Sequence, residues 1–167
     1  MELERVDRIT SDALGEPGDR TFYLQVRKGP DLISVLVEKQ HIQLLAASIL
    51  EILERAGKET GEGPAEEDMA LEEPIEPIWR AGRLSIGYEE AEDVVVLEIE
   101  ELVPDEEQEE REPDHLRVWA TREQMLALSR HGALVSERGR PSCQFCGNPM
   151  DADGHVCPAM NGHSAPT

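Results

Sequence analysis

The feature that most constrains the fold is an alternating apolar pattern that is interrupted by a turn and then changes to a helical period. In "RTFYLQVRKGPDLISVLVEKQ", Phe22, Leu24 and Val26 alternate with polar residues, and the alternation resumes at Ile33 after Gly29-Pro30-Asp31. Alternation on both sides of such a turn predicts a β-hairpin with one buried face.

An amphipathic helix is predicted directly after this hairpin. In "HIQLLAASILEILERAG" the apolar residues recur at the three- and four-residue spacing of one helix face. They are Ile42, Leu45, Ala46, Ile49, Leu53 and Ala56. Gly57 follows the last of them and is the residue type that most often ends a helix. The first unit is therefore strand, strand, helix.

The second half of the chain repeats this order. "IWRAGRLSIGYEEAEDVVVLEIEELV" predicts two strands around a turn near residues 89–93, and "HLRVWA" predicts a short strand. "TREQMLALSRHGALVSERG" predicts a helix whose Thr121 and Gln124 have capping-box spacing. A duplication and a chance likeness of two amphipathic helices explain the repeat equally well, because periodicity alone is not specific.

These elements predict an α+β fold of two layers. We expect an antiparallel sheet of about five strands with both helices on one face, in the order ββα-βββα, over residues 1–138. Acidic loops are expected at 59–77 and 104–114. The first of these carries eight carboxylates and three prolines and is expected to be an exposed connection. Residues 139–167 are expected to form a separate zinc knuckle.

The charge balance excludes some classes of function. Lys and Arg number 16 and Asp and Glu number 36, which gives a net charge of -20. Such a surface repels polyphosphates, so nucleic acid is not an expected partner. No apolar run approaches the roughly 20 residues of a membrane span, and "MELERVDRIT" lacks the basic and apolar parts of a signal peptide. We therefore expect a soluble, cytoplasmic protein without a membrane partner.

All three cysteines lie in "CQFCGNPMDADGHVCP". Cys143 and Cys146 have the C-x-x-C spacing of a zinc knuckle, and Cys157 adds a third thiolate. His155, two residues before Cys157, is the preferred fourth ligand, and His163 is the alternative. Three thiolates and one imidazole form a closed tetrahedral set, so the sequence predicts a structural Zn²⁺ site.

Other chemistry is less well supported by the sequence. A redox C-x-x-C usually opens a helix, whereas Gly147 and Pro149 here favour a turn. The H-x-E and H-E-x-x-H patterns of catalytic zinc sites are absent from the chain. The histidines at positions 41, 115 and 131 have no adjacent nucleophile and are expected at the surface or at helix ends. No catalytic residue is predicted.

A second candidate site is formed by polar residues at the strand ends. Arg20, Glu38 and Lys39 flank the first hairpin and could meet at one edge of the sheet to contact a ligand or a partner. The alternative is an ordinary solvated rim with an internal ion pair, because strand ends are usually polar.

Four stretches together resemble a known family. They are "RTFYLQ", "VEKQ", "TREQ" and "GRPSCQFCGNPMDADGHVCPAMNG", in this order along the chain. The set resembles the bacterial domain-of-unknown-function 3090 family. The resemblance implies a cytoplasmic protein with a zinc-binding C-terminus and brings no enzyme activity with it. Its Gly-His-x-Cys element matches Gly154, His155 and Cys157, which adds to the preference for His155.

The sequence thus predicts a zinc-binding, non-catalytic interaction or adaptor module with unidentified protein partners. The alternative is a sensor or enzyme that acts on a phosphorylated small molecule at the sheet edge, near Arg20 and Lys39.

Overall fold

The computed structural model describes residues 1–16 and 18–138. The strands are β1 (Glu2–Leu3), β2 (Arg8–Leu14), β3 (Thr21–Lys28), β4 (Asp31–Val37), β5 (Pro77–Glu89), β6 (Val94–Glu101) and β7 (His115–Ala120). The helices are α1 (Lys39–Ala56) and α2 (Arg122–Arg138). Short 3₁₀ turns lie at Glu66–Asp68 and Asp105–Glu107.

The seven strands form one mixed sheet in the order β1-β7-β6-β5-β4-β3-β2. The β1–β7 and β4–β5 pairs are parallel, and the other four pairs are antiparallel. The predicted α+β class and the two helices are confirmed. The prediction of about five antiparallel strands is wrong, because the sheet has seven strands and two parallel pairs.

The two strands that the sequence analysis missed lie in the first fourteen residues. In β2 the neighbouring residues Ile9, Thr10 and Ser11 are all buried, so both faces of this strand are covered. Two of these three residues are polar, so the segment shows neither the alternation of a half-exposed strand nor the apolar run of a central one. The parallel β1–β7 pair could not be foreseen without β1.

Residues between β1 and β2 join the two ends of the strand order. The amide of Val6 donates to the carbonyl of Trp119 in β7 (3.0 Å), and the amide of the next residue, Asp7, donates to the carbonyl of Arg27 in β3 (2.8 Å). Since β7 and β3 lie near opposite ends of the strand order, residues 2–14 close the sheet into a ring.

The predicted hairpin and helix ends are confirmed. β3 and β4 pair in register from Phe22–Val37 to Lys28–Asp31. α1 ends at Gly57, which has the left-handed conformation (φ 66°) that glycine tolerates best. The capping box of α2 is present, because the amide of Gln124 donates to Thr121 Oγ1 (3.0 Å) and the amide of Thr121 donates to Gln124 Oε1 (2.9 Å).

The helices pack against each other, α1 also on β5 and α2 also on β2. The buried apolar cluster lies between the sheet and the helices and includes alternate residues of β6 and β7, such as Leu97 and Val118, which are fully buried. Each helix therefore packs on a strand that is distant in the chain, α1 on the later strand β5 and α2 on the early strand β2.

We expect the substitution Ile9→Ala to lower the free energy of unfolding by about 2–5 kcal/mol, because Ile9 is 2% exposed in the core. Leu14→Ala in the same strand is the matched control, since Leu14 is 45% exposed. Chemical denaturation measures both variants. Equal small losses would show that residues 8–14 do not pack as a core strand.

Candidate functional site

An apolar groove lies between α1 and β5. Its volume is about 350 Å³. Its lining residues are Gln40, His41, Leu44, Leu45, Ser48, Gly82, Leu84, Ser85, Ile86 and Leu97. None of them is an acid, a lysine or an arginine, although 31% of the chain is charged. The groove therefore suits an apolar surface with a few hydrogen-bonding groups.

The most exposed apolar side chain of this groove is Leu44. It is 68% exposed, whereas its neighbour Leu45 is buried in the core. Leu84 and Ile86 of β5 are half-buried and pack on the core cluster from the other side of the groove. The groove thus continues from the core to the surface.

His41 is held in one orientation at the edge of the groove. Its Nδ1 accepts a hydrogen bond from the amide of Glu38 (2.9 Å), the residue that caps α1. Its Nε2 lies 3.0 Å from the carbonyl oxygen of Gly82 in β5. Because an amide can only donate and a carbonyl can only accept, Nδ1 is the acceptor and Nε2 is the donor in these two hydrogen bonds. His41 therefore joins the start of α1 to β5 and has no ring nitrogen left for a proton transfer.

The connector, defined as residues 58–76, follows α1 and crosses β2. Most of its side chains are exposed, as expected, but Met69 is buried. Its backbone is held by side chains of β2. Arg8 donates to the carbonyls of Asp68 (2.6 Å) and Ala70, and Thr10 Oγ1 donates to the carbonyl of Met69 (2.5 Å).

Gln25 of β3 holds the connector further along. Its amide nitrogen donates to the carbonyl of Glu72 (2.9 Å) and to Ser34 Oγ (3.0 Å), and its oxygen accepts from the amide of Glu72 (2.8 Å). A buried amide with partners on both of its ends stabilises one arrangement, because any displacement leaves polar atoms unpaired.

A buried histidine of α2 also contacts the connector. His131 is 3% exposed, its Nδ1 lies 2.5 Å from Glu66 Oε1, and its Nε2 lies 3.3 Å from Asp12 Oδ2. Burial by itself lowers the pKa of His131, but the two carboxylates outweigh it and raise the pKa above its ordinary value. Because both nitrogens face carboxylates, the ring joins α2, β2 and the connector rather than activating a nucleophile.

An arginine at the start of α2 forms a third polar cluster. Arg122 makes two hydrogen bonds to the carboxylate of Asp93 (2.8 and 3.2 Å) and also donates to the carbonyl of Glu59 and to Thr60 Oγ1. The hydrogen bonds from Arg122 and from the hydroxyl of Tyr88 (2.6 Å) hold the pKa of Asp93 well below its usual range. This cluster joins α2, the β5–β6 turn and the connector.

The structure shows where the three strand-end candidates, Arg20, Glu38 and Lys39, lie. The guanidinium of Arg20 donates to the carbonyl of Val135 in α2 (3.3 Å), and Glu38 forms an ion pair with Arg80 (2.8 Å). Lys39 is the first residue of α1 and is half-buried. The β3–β4 register puts Arg20 and Lys39 at the same end of this hairpin. Two of the three side chains thus have partners within the protein.

The predicted metal ligands Cys143, Cys146, His155 and Cys157, and the alternative His163, lie outside the described residues. Within residues 1–16 and 18–138, no group of three or more His, Cys, Asp or Glu side chains is arranged to hold a metal ion. Neither of the two described helices combines the length and the apolar character that crossing a membrane requires.

Sequence reasoning missed the roles of two histidines. His131 was expected at the surface or at a helix end, and this is wrong because α2 turns it inward between two carboxylates. His41 could have been found from the sequence, since it stands at the same position after Glu38 as Gln124 does after Thr121. For His131 only its phase on the helix, three residues after the buried Leu128, points inward.

The fold and the groove define a small α+β protein whose described surface has a concave apolar site and no charged residue within it. The family model described as "Protein of unknown function (DUF3090)" matches residues 1–157. The chain therefore belongs to this family, as the resemblance predicted. Among curated proteins and among solved structures, none matches the chain.

The contact of His131 with two carboxylates should make stability depend on pH. The pKa of His131 is higher in the folded protein than in the unfolded chain, where it is about 6.5. The ion pairs of His131 therefore contribute fully to the free energy of unfolding below pH 6.5, and this contribution is lost as the pH rises through the pKa of the folded protein. We expect the loss of unfolding free energy in His131→Asn to be larger at pH 6 than at pH 9. Denaturation of both proteins across this range measures it, with the exposed His115→Asn as the control. A loss that does not change with pH would contradict the ion pairs.

Proposed function

We propose that the protein is a cytoplasmic, non-catalytic interaction module with a structural Zn²⁺ in its C-terminal segment. The groove between α1 and β5 receives an apolar polypeptide segment. The single observation that carries this proposal is the chemistry of the groove, in which apolar side chains surround a few polar ones and no charged residue takes part. A groove beside a helix is a common mode of binding a polypeptide through a few apolar contacts.

The absence of charge from this groove argues against the phosphorylated small molecule as its ligand. A phosphate needs cationic or amide donors that are not already used. Of the two cations that the sequence analysis placed near such a ligand, Arg20 already donates to a carbonyl of α2, and neither Arg20 nor Lys39 lines the groove. The phosphate-binding alternative is therefore the weaker proposal.

The zinc site is proposed from the chemistry of the donor set. Cys143, Cys146 and Cys157 supply three thiolates and His155 supplies an imidazole, which is a closed set of the structural kind and leaves no open position for a substrate. A short segment with few large apolar residues gains most of its folding free energy from such a metal, about 10–16 kcal/mol in small zinc peptides at neutral pH.

Metal analysis tests the zinc site. We expect about one zinc per chain in protein purified without chelators, and almost none in Cys143→Ser or Cys146→Ser, because removing one thiolate opens the tetrahedral set. Ser142→Ala is the matched control and should keep its zinc. His155→Ala should lose more zinc than His163→Ala. Wild-type protein without zinc would overturn this part of the proposal.

Site-specific photo-crosslinking in cells tests the groove. We expect a photoreactive phenylalanine derivative at position 44 to form an adduct with a polypeptide, either within this chain or with another. The same group at position 50 should form much less, because Leu50 is 53% exposed on α1 but does not line the groove. No adduct at position 44, together with thermal stabilisation by phosphorylated metabolites, would favour the alternative function.

A further inference from the structure

The two halves of the chain have the same order of secondary-structure elements. Each contains three strands followed by a helix, β2-β3-β4-α1 and β5-β6-β7-α2. In both helices the third residue after the cap accepts a hydrogen bond from the amide of the cap, His41 from Glu38 and Gln124 from Thr121, at 2.9 Å each. Such agreement in detail supports duplication over a chance likeness of two amphipathic helices.

The same two side chains also reach the opposite half. Gln124 Nε2 donates to the carbonyl of Val6 (2.9 Å), which lies just before β2, and His41 Nε2 donates to the carbonyl of Gly82 in β5 (3.0 Å). Correspondingly, α2 packs on β2 and α1 packs on β5, and the halves meet through the parallel pairs β4–β5 and β7–β1. The groove between α2 and β2 is therefore the equivalent, in the duplicated design, of the groove between α1 and β5.

The connector fills the α2–β2 groove. It leaves the end of α1 and passes over the first turn of α2, where Gly63 lies so close to the carbonyl oxygen of Glu123 that a Cβ would collide with it. Further along, Glu66 contacts His131, and Ala127 between these two points is only 2% exposed. The face of α2 that carries these three residues is therefore covered by the segment that follows the other helix.

The equivalent face of α1 lines the candidate groove. Counted from the two caps, the equivalents of Glu123, Ala127 and His131 are Gln40, Leu44 and Ser48. All three line the groove. In the part of the chain that the structure describes, Leu44 is 68% exposed where its equivalent Ala127 is 2% exposed. Among residues 1–16 and 18–138, no segment covers this face as the connector covers the face of α2.

The counterpart of the connector in sequence is the segment that follows α2. We propose that residues 139–167, which carry the cysteine cluster, occupy the α1–β5 groove as the connector occupies the α2–β2 groove. This proposal deepens the proposed function and rests on it, because it names the polypeptide segment that the groove receives. The cysteine-rich segment thereby packs on the body of the protein beside α1.

The position and length of this segment fit the groove. The end of α2 lies beside the start of α1, because a Cβ on Gly132 would lie 3.1 Å from Ile42 Cγ2 and Arg20 holds the carbonyl of Val135. The 29 residues from 139 to 167 exceed the 19 residues of the connector. Phe145 and Met150 provide apolar side chains early in the segment, which match Leu44 and the apolar floor of the groove.

Crosslink mapping on the purified full chain tests whether residues 139–167 occupy the α1–β5 groove. With the photoreactive group at position 44, we expect an adduct at the mass of one chain, joined to a peptide from residues 139–167, and at least about five times less of it from position 50. An adduct with a second copy would overturn this inference while leaving the interaction module in place, and so would the absence of an adduct in the purified chain when position 44 still captures another protein in cells. The lack of any polypeptide adduct both in the purified chain and in cells would overturn both proposals.

Proteolysis provides a second measurement. A charge at position 44 should release the segment from the apolar groove, so we expect trypsin to cut the bond between Arg138 and Gly139 at least about five times faster in Leu44→Glu than in wild type. Leu50→Glu is the matched control and should be cut at the wild-type rate. Zinc content and thermal unfolding show that each variant is loaded and folded. Equal cleavage rates in all three loaded proteins would overturn the inference.

Discussion

The rest of the structure depends on the two-sided pairing of the N-terminal segment. Consecutive amides of an extended chain point to opposite sides, so Val6 can bond β7 while Asp7 bonds β3. Without this segment, β7 and β3 would each leave an unpaired edge, which exposes donors and acceptors to other chains. The ring also places β2 under α2, and this contact supplies one wall of the core.

The acidic connector is held on the protein mainly by hydrogen bonds to its backbone. The connector is rich in carboxylates, yet Arg8 binds its carbonyl oxygens and His131 binds one of its carboxylates. Such contacts hold a negatively charged segment on the protein while most of its side chains remain in water. The connector covers one of two equivalent grooves, and the difference in exposure between Ala127 and Leu44 shows that the other lacks a cover among the described residues.

The sequence was sufficient for elements that carry a local signal. The hairpin around Gly29, the end of α1 at Gly57 and the capping box at Thr121 were all predicted, because alternation, glycine conformation and capping chemistry act within a few residues. β2 was missed because its buried polar residues hide the strand period. The groove was missed as well, since its two walls are about forty residues apart in the chain and neither wall is unusual by itself.

By itself the sequence determined the α+β class, the helix limits, the membership in the family and the donor set proposed for zinc, because these depend on residue type and short spacing. Only the tertiary structure decided the parallel pairs, the burial of His131 between Asp12 and Glu66, and the apolar groove beside α1. The physical reason is that these features depend on contacts between residues far apart in the chain. The N-terminal segment pairs with β7, α1 packs on β5 and α2 packs on β2. Their partners are chosen by packing of the whole chain rather than by any local pattern.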